Sequence, residues 1–298
     1  MRPFLIAVIL GLAVTQAPAQ ATRRLKVYIS ADMEGITGVV TNEQLGPTGF
    51  EYQRARQFMT DEVNAAIMGA RDAGATEILV SDSHGNGQNL LIDQLPADVR
   101  IVRSWPRPLM MMEGIDASFD AALFIGYHAG TSNVAGVRAH TMSSATLTGV
   151  ALNGTQVPEG GVNAAIAGHF GVPVVMISGD DAAIEEVRRF TGPIEGAQVK
   201  RAISFHSAET MTPKAGQELI RARAKAGVER RASFTPYKLN GPVNVDVSFK
   251  HYRVAEIVAY LPGIRRMDAH TIRFSGRDIT EVSRFLEFLN TYSSDLTP

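Results

Sequence analysis

The chain has 298 residues, no cysteine and one tryptophan. Without thiols it can form no disulfide, use no cysteine nucleophile and hold no metal through thiolate. Any metal must therefore be held by histidine, carboxylate or carbonyl groups. Excess charge of either sign is also missing: 29 Lys+Arg against 30 Asp+Glu leave a formal −1. That balance gives no basis for attracting nucleic acid or an anionic membrane. The apolar run at residues 4–14 is well short of the ~20 residues a membrane span needs. It follows Arg2 and precedes the small-residue patterns Ala17-Pro18-Ala19 and Ala19-Gln20-Ala21. This order is that of a cleaved secretory signal, expected over residues 1–21, rather than of an anchor. Its removal takes away Arg2 and no acid, moving the net charge from −1 to −2. An exported protein, periplasmic or secreted, would gain from having no thiols to oxidise.

What is present is the composition of a globular enzyme, 45% apolar and 20% charged, long enough for one large domain or two ordinary ones. Strand-like and helical runs alternate after the leader. "LKVYIS", "TEILVSD", "AALFIGY" and "VPVVMIS" are continuous apolar strands. Between them, "YQRARQFMTDEVNAAIMGARDAG", "EGGVNAAIAGHFG" and "DDAAIEEVRRF" carry helical spacing. This pattern predicts an α/β fold, a parallel-type sheet covered by helices over residues 22–200. From residue 201 the character changes. "TPKAGQELIRARAKAGVERR" reads as a helix with Thr212 as N-cap and Pro213 at its first position. "VNVDVSF" alternates strictly, and "DITEVSRFLEFLNTY" opens with Asp278 and Glu281 in a capping-box-like arrangement. Residues 201–298 are expected to form a smaller α+β domain with a role in assembly.

Polar residues collect where the strands end. "VYISADMEG" places Asp32 and Glu34 after the first strand, "ILVSDSHGNG" places Asp82 and His84, and "LFIGYHAG" places His128. If strand geometry persists, Asp32 and Glu34 share a face, and two adjacent carboxylates need a compensating water, basic group, proton or metal. In an open parallel sheet, ligands sit beyond the carboxyl ends of the strands, so two imidazoles arrive at the edge where the acids stand. Mixed N and O ligation suits zinc, with manganese, cobalt and iron as alternatives. A carboxylate can also bridge two ions, one polarising a carbonyl and the other activating water. Each piece has a plainer reading. Asp82 can be a turn former, Glu159 can complement the dipole of the helix it opens, and His140, after the Gly- and Ser-rich residues 130–139, can be a surface loop histidine. Asp180 and Asp181 also stand at this edge; one reads as an N-cap, and a supporting or substrate-facing role is open to them. His169 falls inside a helical pattern, and His206, His251 and His270 have no acidic companions at strand ends.

These residues resemble a known family, the zinc-dependent D-aminopeptidases associated with bacterial dipeptide-transport operons. The likeness runs from about residue 25 to near the C-terminus. It is carried by "SADMEGITG", "SDSHGNG", "EGIDASFDAALFIGYHA", "AHTM", "PEGGVNAAIAGHFGVPVVMISGDD" and the "LPG" at residues 261–263. The resemblance implies two zinc ions per subunit held by Asp32, Glu34, His84, His128 and Glu159, with Asp32 bridging, and His140 as the catalytic histidine. It implies hydrolysis of short peptides with an N-terminal D-residue such as D-alanine, and a homo-oligomeric ring with its active sites facing an internal chamber. The chain departs from the family's cytoplasmic pattern in its secretory leader, and in the length and content of the segment between His128 and His140.

Two other classes compete. An aspartyl-nucleophile phosphatase with Asp32 attacking would explain a strand followed by Asp-x-acid and a later "GDD", but leaves His84 and His128 without a task. A non-enzymatic exported binding protein with a two-domain crevice leaves the whole ligand set unexplained.

Overall fold

The computed structural model describes residues 24–293; the expected leader, residues 1–21, lies outside them. In chain order the elements are β1 Lys26–Ala31, α1 Tyr52–Asp72, β2 Glu77–Asp82, β3 Arg100–Val102, β4 Ala121–Tyr127, β5 Leu147–Leu152, β6 Thr155–Gln156, α2 Glu159–His169 and β7 Val174–Asp180. There follow α3 Asp181–Thr191, β8 Glu195–Ser204, β9 Ser207–Thr210, α4 Pro213–Glu229, β10 Val243–Phe249, α5 Tyr252–Val258, β11 Ile264–Arg266, β12 Thr271–Gly276 and α6 Ile279–Thr291.

The expected α/β sheet forms. Its order is β3-β2-β1-β4-β7-β8-β9, parallel throughout except for the β8–β9 hairpin. A strand buried on both faces must be apolar at successive positions, and β1 shows why the sequence obeys. Val27, Ile29 and Ala31 pack with Val63, Ile67, Ile220 and Ala224 of α1 and α4, whereas Tyr28 points to the opposite core with Phe124, Val162 and Val187. From β1 the chain builds outward to β2 and β3, then returns to β4 and builds the other way. The strand order therefore reverses between β1 and β4, and a crevice opens beyond their carboxyl ends.

A second sheet, order β11-β12-β10-β5-β6, is antiparallel. The alternation in "VNVDVSF" is realised: Val243, Val245, Val247 and Phe249 face the core, and Asp246 on the other face pairs with Arg273 at 2.6 Å. Residue 200 does not separate the two sheets. β5 and β6, from before it, belong to the second sheet, while β9, from after it, extends the first. A two-residue connection lets β9 pair back only as an antiparallel hairpin. Ile220, Ala224 and Val228 recur four apart on α4 and so find the apolar face of the large sheet.

The strand ends one residue before the acid pair. β1 stops at Ala31, so the shared direction of Asp32 and Glu34 comes from the turn that follows rather than from the pleat. That turn lies against β4: the Gly35 amide donates to Gly126 O at 2.7 Å. A Cβ on Gly35 would meet Tyr127 O at 2.1 Å, so no larger residue allows the approach. Gly35→Ala is expected to lower stability by about 3 kcal/mol through overpacking, read as a fall in the denaturant midpoint. Gly46→Ala, with open space around its Cβ, should stay within about 0.5 kcal/mol of the parent.

Candidate metal centre

Three loops and one helix start converge on the crevice, each braced by its own hydrogen bonds. Asp82 accepts from the Asn89 and Leu90 amides at 2.6 and 2.7 Å. This is the turn-forming role read from sequence, and it closes the loop that carries His84. His128 follows β4. The chain then leaves in residues 130–139 and is pinned to α3: Gly130 N donates to Glu186 at 2.7 Å and Val137 N to Asp180 at 2.7 Å. Asp180 also caps α3 through Ala183 N, so its task is structural. The loop brings His140 back to stack on His128, with ring centroids 4.1 Å apart and planes 9° from parallel. Glu159 opens α2 and accepts from Met142 N at 2.6 Å.

The six candidate residues come together. His84 Nδ1 lies 3.2 Å from Asp32 Oδ1 and 2.9 Å from Glu34 Oε2. His128 Nε2 lies 3.3 Å from Asp32 Oδ2 and 3.4 Å from Glu159 Oε2. His140 Nε2 lies 3.7 Å from Glu159 Oε1. The two oxygens of Asp32 thus face different imidazoles. His140 is partly buried, and the other five residues are buried.

Each imidazole has its other nitrogen on a backbone carbonyl: His84 Nε2 on Leu45 O at 2.8 Å, His128 Nδ1 on Ala129 O at 2.9 Å, and His140 Nδ1 on Arg138 O at 2.8 Å. A carbonyl only accepts, so these nitrogens carry the proton. The nitrogen facing the acids is then, in a neutral ring, a bare lone pair opposite carboxylate lone pairs. Asp32 Oδ2, Glu34 Oε2 and His128 Nε2 are buried without an aligned hydrogen-bond partner. Only a proton or a cation between them relieves this repulsion.

The charges show the same demand. Burial alone would lower His84 and His128, but the carboxylates of Glu34 and Glu159, with Asp32, outweigh it and hold both imidazoles well above their ordinary range. Burial, and then the Glu34 charge, raises Asp32. Glu34 is held well below its ordinary value by His84 and His128 against the burial that would raise it. A metal ion would take the place of the imidazole protons. Zinc bonds of about 2.0–2.1 Å in a tetrahedron put ligand atoms about 3.3 Å apart, matching the 3.2–3.4 Å spacings around Asp32 and His128. Asp32, Glu34 and His128 form one group able to hold an ion, and His128, His140 and Glu159 another. The donor set fits zinc.

One supporting residue carries no sequence signal beyond being a charge inside a strand. Lys200 of β8 is 3% exposed, and its ammonium donates to the carbonyls of Glu34, Ile36 and Val39, clamping the turn that bears the acid pair. Burial pushes it down to about 8, while Asp180 and Glu62 favour its charge. The walls beside the cluster, Trp105, Met110, Met111 and Met142, and the α6 face with Glu287 line the same cavity. They were also not picked out in the sequence, because apolar residues and a helical acid have ordinary structural uses.

Zinc held through His84 and His128 would displace their protons, so its affinity is expected to fall as pH falls, about tenfold per unit for each proton displaced. Competition with a chelator between pH 5.5 and 8 measures that slope. Lys200→Met leaves three carbonyls without their donor. It should cost about 3 kcal/mol in the denaturant midpoint and weaken zinc in the same competition assay.

The chain is similar to known proteins over most of its length. The D-aminopeptidase family profile matches residues 25–288. A D-aminopeptidase of Bacillus subtilis (strain 168) is 32% identical over 261 residues, 86% of this chain and 93% of that protein. The solved structure of the Zn-dependent D-aminopeptidase DppA from Bacillus subtilis, described as a self-compartmentalizing protease, superposes with a TM-score of 0.85 at 30% identity. The match covers 91% of this chain and all of that one, 100%. With that coverage and identity, the chain belongs to the D-aminopeptidase family of zinc metallopeptidases.

Proposed function

We propose that this chain removes the first residue from short peptides with an N-terminal D-amino acid such as D-alanine. The observation that carries the reading is Asp32, with one oxygen turned to His84 and the other to His128 at the point where the strand order reverses. On this reading Asp32, Glu34, His84, His128 and Glu159 would together hold the zinc. When bound, zinc supplies Lewis-acid polarisation of the scissile carbonyl and lowers the pKa of water.

The chain's own residues do the rest. His140 keeps its Nδ1 proton on Arg138 O, which leaves Nε2 free at the cavity to take a proton during attack and return it to the leaving amine. The backbone grip on all three imidazoles fixes their tautomers before substrate arrives. Trp105, Met110, Met111 and Met142 give the cavity an apolar wall against which a substrate side chain can pack. The cavity, about 290 Å³, is at the small end of the roughly 300–1,000 Å³ usual for ligand sites, in keeping with a short peptide.

The phosphatase alternative needs Asp32 free to attack, whereas both its oxygens are turned to imidazoles. The binding-protein alternative is opposed by the similarity to zinc-dependent D-aminopeptidases over most of the chain. The reading extends to a homo-oligomeric ring with enclosed sites, supported by the self-compartmentalizing relative. It extends also to export, supported by the composition of residues 1–21 and the absence of cysteine.

Purified protein loaded with zinc should release D-alanine from D-Ala-D-Ala and little or nothing from L-Ala-L-Ala; a preference for the L form would refute the stereochemical assignment. Asp32→Ala and His128→Ala should lose zinc by metal analysis and activity with it. His140→Ala should keep its zinc and lose activity by about 10²–10⁴-fold.

A further inference from the structure

The cavity beside the metal cluster holds an acid that the cluster does not use. Its far wall is α6, whose Glu287, Asn290 and Thr291 all line it. Their i, i+3, i+4 spacing puts them on one helix face. Two contacts tie that face to the metal side. Asn290 Nδ2 donates to Met142 Sδ at 3.4 Å, and the Met142 amide donates to Glu159 at 2.6 Å. The α6 face is thus one residue removed from a carboxylate of the cluster.

Glu287 is 6% exposed, and burying a carboxylate is costly unless it is paired. Among the described residues its hydrogen-bond donor is the Arg107 amide, at 3.0 Å to Oε1. The Arg107 guanidinium is engaged elsewhere, with Ser81 Oγ, Asp82 O and Ser104 O. No side-chain cation among the described residues forms an ion pair with Glu287. Burial raises its proton affinity, against the Arg107 amide and the more distant Arg107 charge, which favour the carboxylate. A buried acid that faces a cavity and has no cation within ion-pair distance has capacity for a cationic ligand.

An aminopeptidase substrate brings such a cation, its free α-ammonium. We propose that Glu287 binds the substrate's α-ammonium, so that α6, and not the metal cluster alone, sets the requirement for a free amino terminus. The assignment rests on the peptidase reading of this cavity. A peptide with a blocked amine would reach the metals only by leaving this carboxylate buried and unpaired, which disfavours it.

Glu287→Gln is the discriminating variant, because the amide oxygen still accepts from the Arg107 amide while the charge is gone. The probes are D-Ala-D-Ala and N-propionyl-D-alanine, the same peptide with hydrogen in place of the ammonium. Hydrolysis is followed kinetically and binding by calorimetry on the zinc-loaded protein, with metal content measured in each sample. The expected result is a KM for D-Ala-D-Ala raised about tenfold or more with a smaller change in kcat. Affinity for N-propionyl-D-alanine and zinc content should be unchanged. A purely structural Glu287 would show no such split between the two probes. If Glu287→Gln keeps both its zinc and the parent's preference for the free amine, the ammonium site is overturned and the peptidase reading stands. If the parent cleaves neither probe but binds D-Ala-D-Ala more tightly, and the variant loses that preference, the peptidase reading falls and the ammonium site stands. Equal binding of the two probes by the parent overturns the site.

Discussion

The interaction on which the rest depends is the one between Asp32 and two imidazoles. Its oxygens face His84 and His128 at 3.2 and 3.3 Å, with the lone-pair side of each ring turned inward by a backbone carbonyl. Such a cluster is unfavourable when empty of cations, because lone pairs face lone pairs in a buried place. The fold holds it there by bracing every loop that feeds it. Asp82 closes the His84 loop, Asp180 and Glu186 pin the path to His140, and Lys200 clamps the Asp32–Glu34 turn. The candidate ligands are thus held in place by the fold itself, so that binding a metal there would not spend energy on ordering them.

The sheet order decides where this happens. β1 and β4 are neighbours that lead the chain in opposite directions, and the acids and His128 stand at their carboxyl ends. The antiparallel second sheet and α6 complete the chamber: Met142, just before β5, and Glu287, on α6, line it. The C-terminal part of the chain is therefore built into the site rather than appended to it. One hydrophobic core runs from Tyr28 and Phe124 through α2 to Val245, Val247 and Leu286, so the two sheets share their packing.

Much of this was legible in the sequence. Apolar strands alternating with helices imply the covered parallel sheet, because only residues buried on both faces run apolar without alternation. The polar clusters "DMEG", "DSHG" and "YHAG" implied a ligand edge, because strand ends in such a sheet share one side. Asp32, Glu34, His84 and His128 were recognisable for that reason, whereas His140 and Glu159 were singled out only by the family resemblance. Asp82, with its turn-forming chemistry, was legible as a brace.

What the tertiary structure alone decided follows from distance along the chain. The tautomer of each histidine depends on carbonyls such as Leu45 O, 39 residues from His84, and no local pattern records that partner. Lys200 lies 166 residues from the carbonyl of Glu34 that it holds, and in sequence it is only a charge inside a strand. Membership of β5 and β6 in the second sheet is set by pairing with β10, which residue order does not reveal. Glu287 reads as one more polar position on an amphipathic helix until α6 docks against the cavity. The sequence by itself determined the strands, the helices and the chemistry at the strand ends, because those depend on periodicity and residue type. Only the folded chain decided which distant groups face one another, because burial and electrostatics act through space.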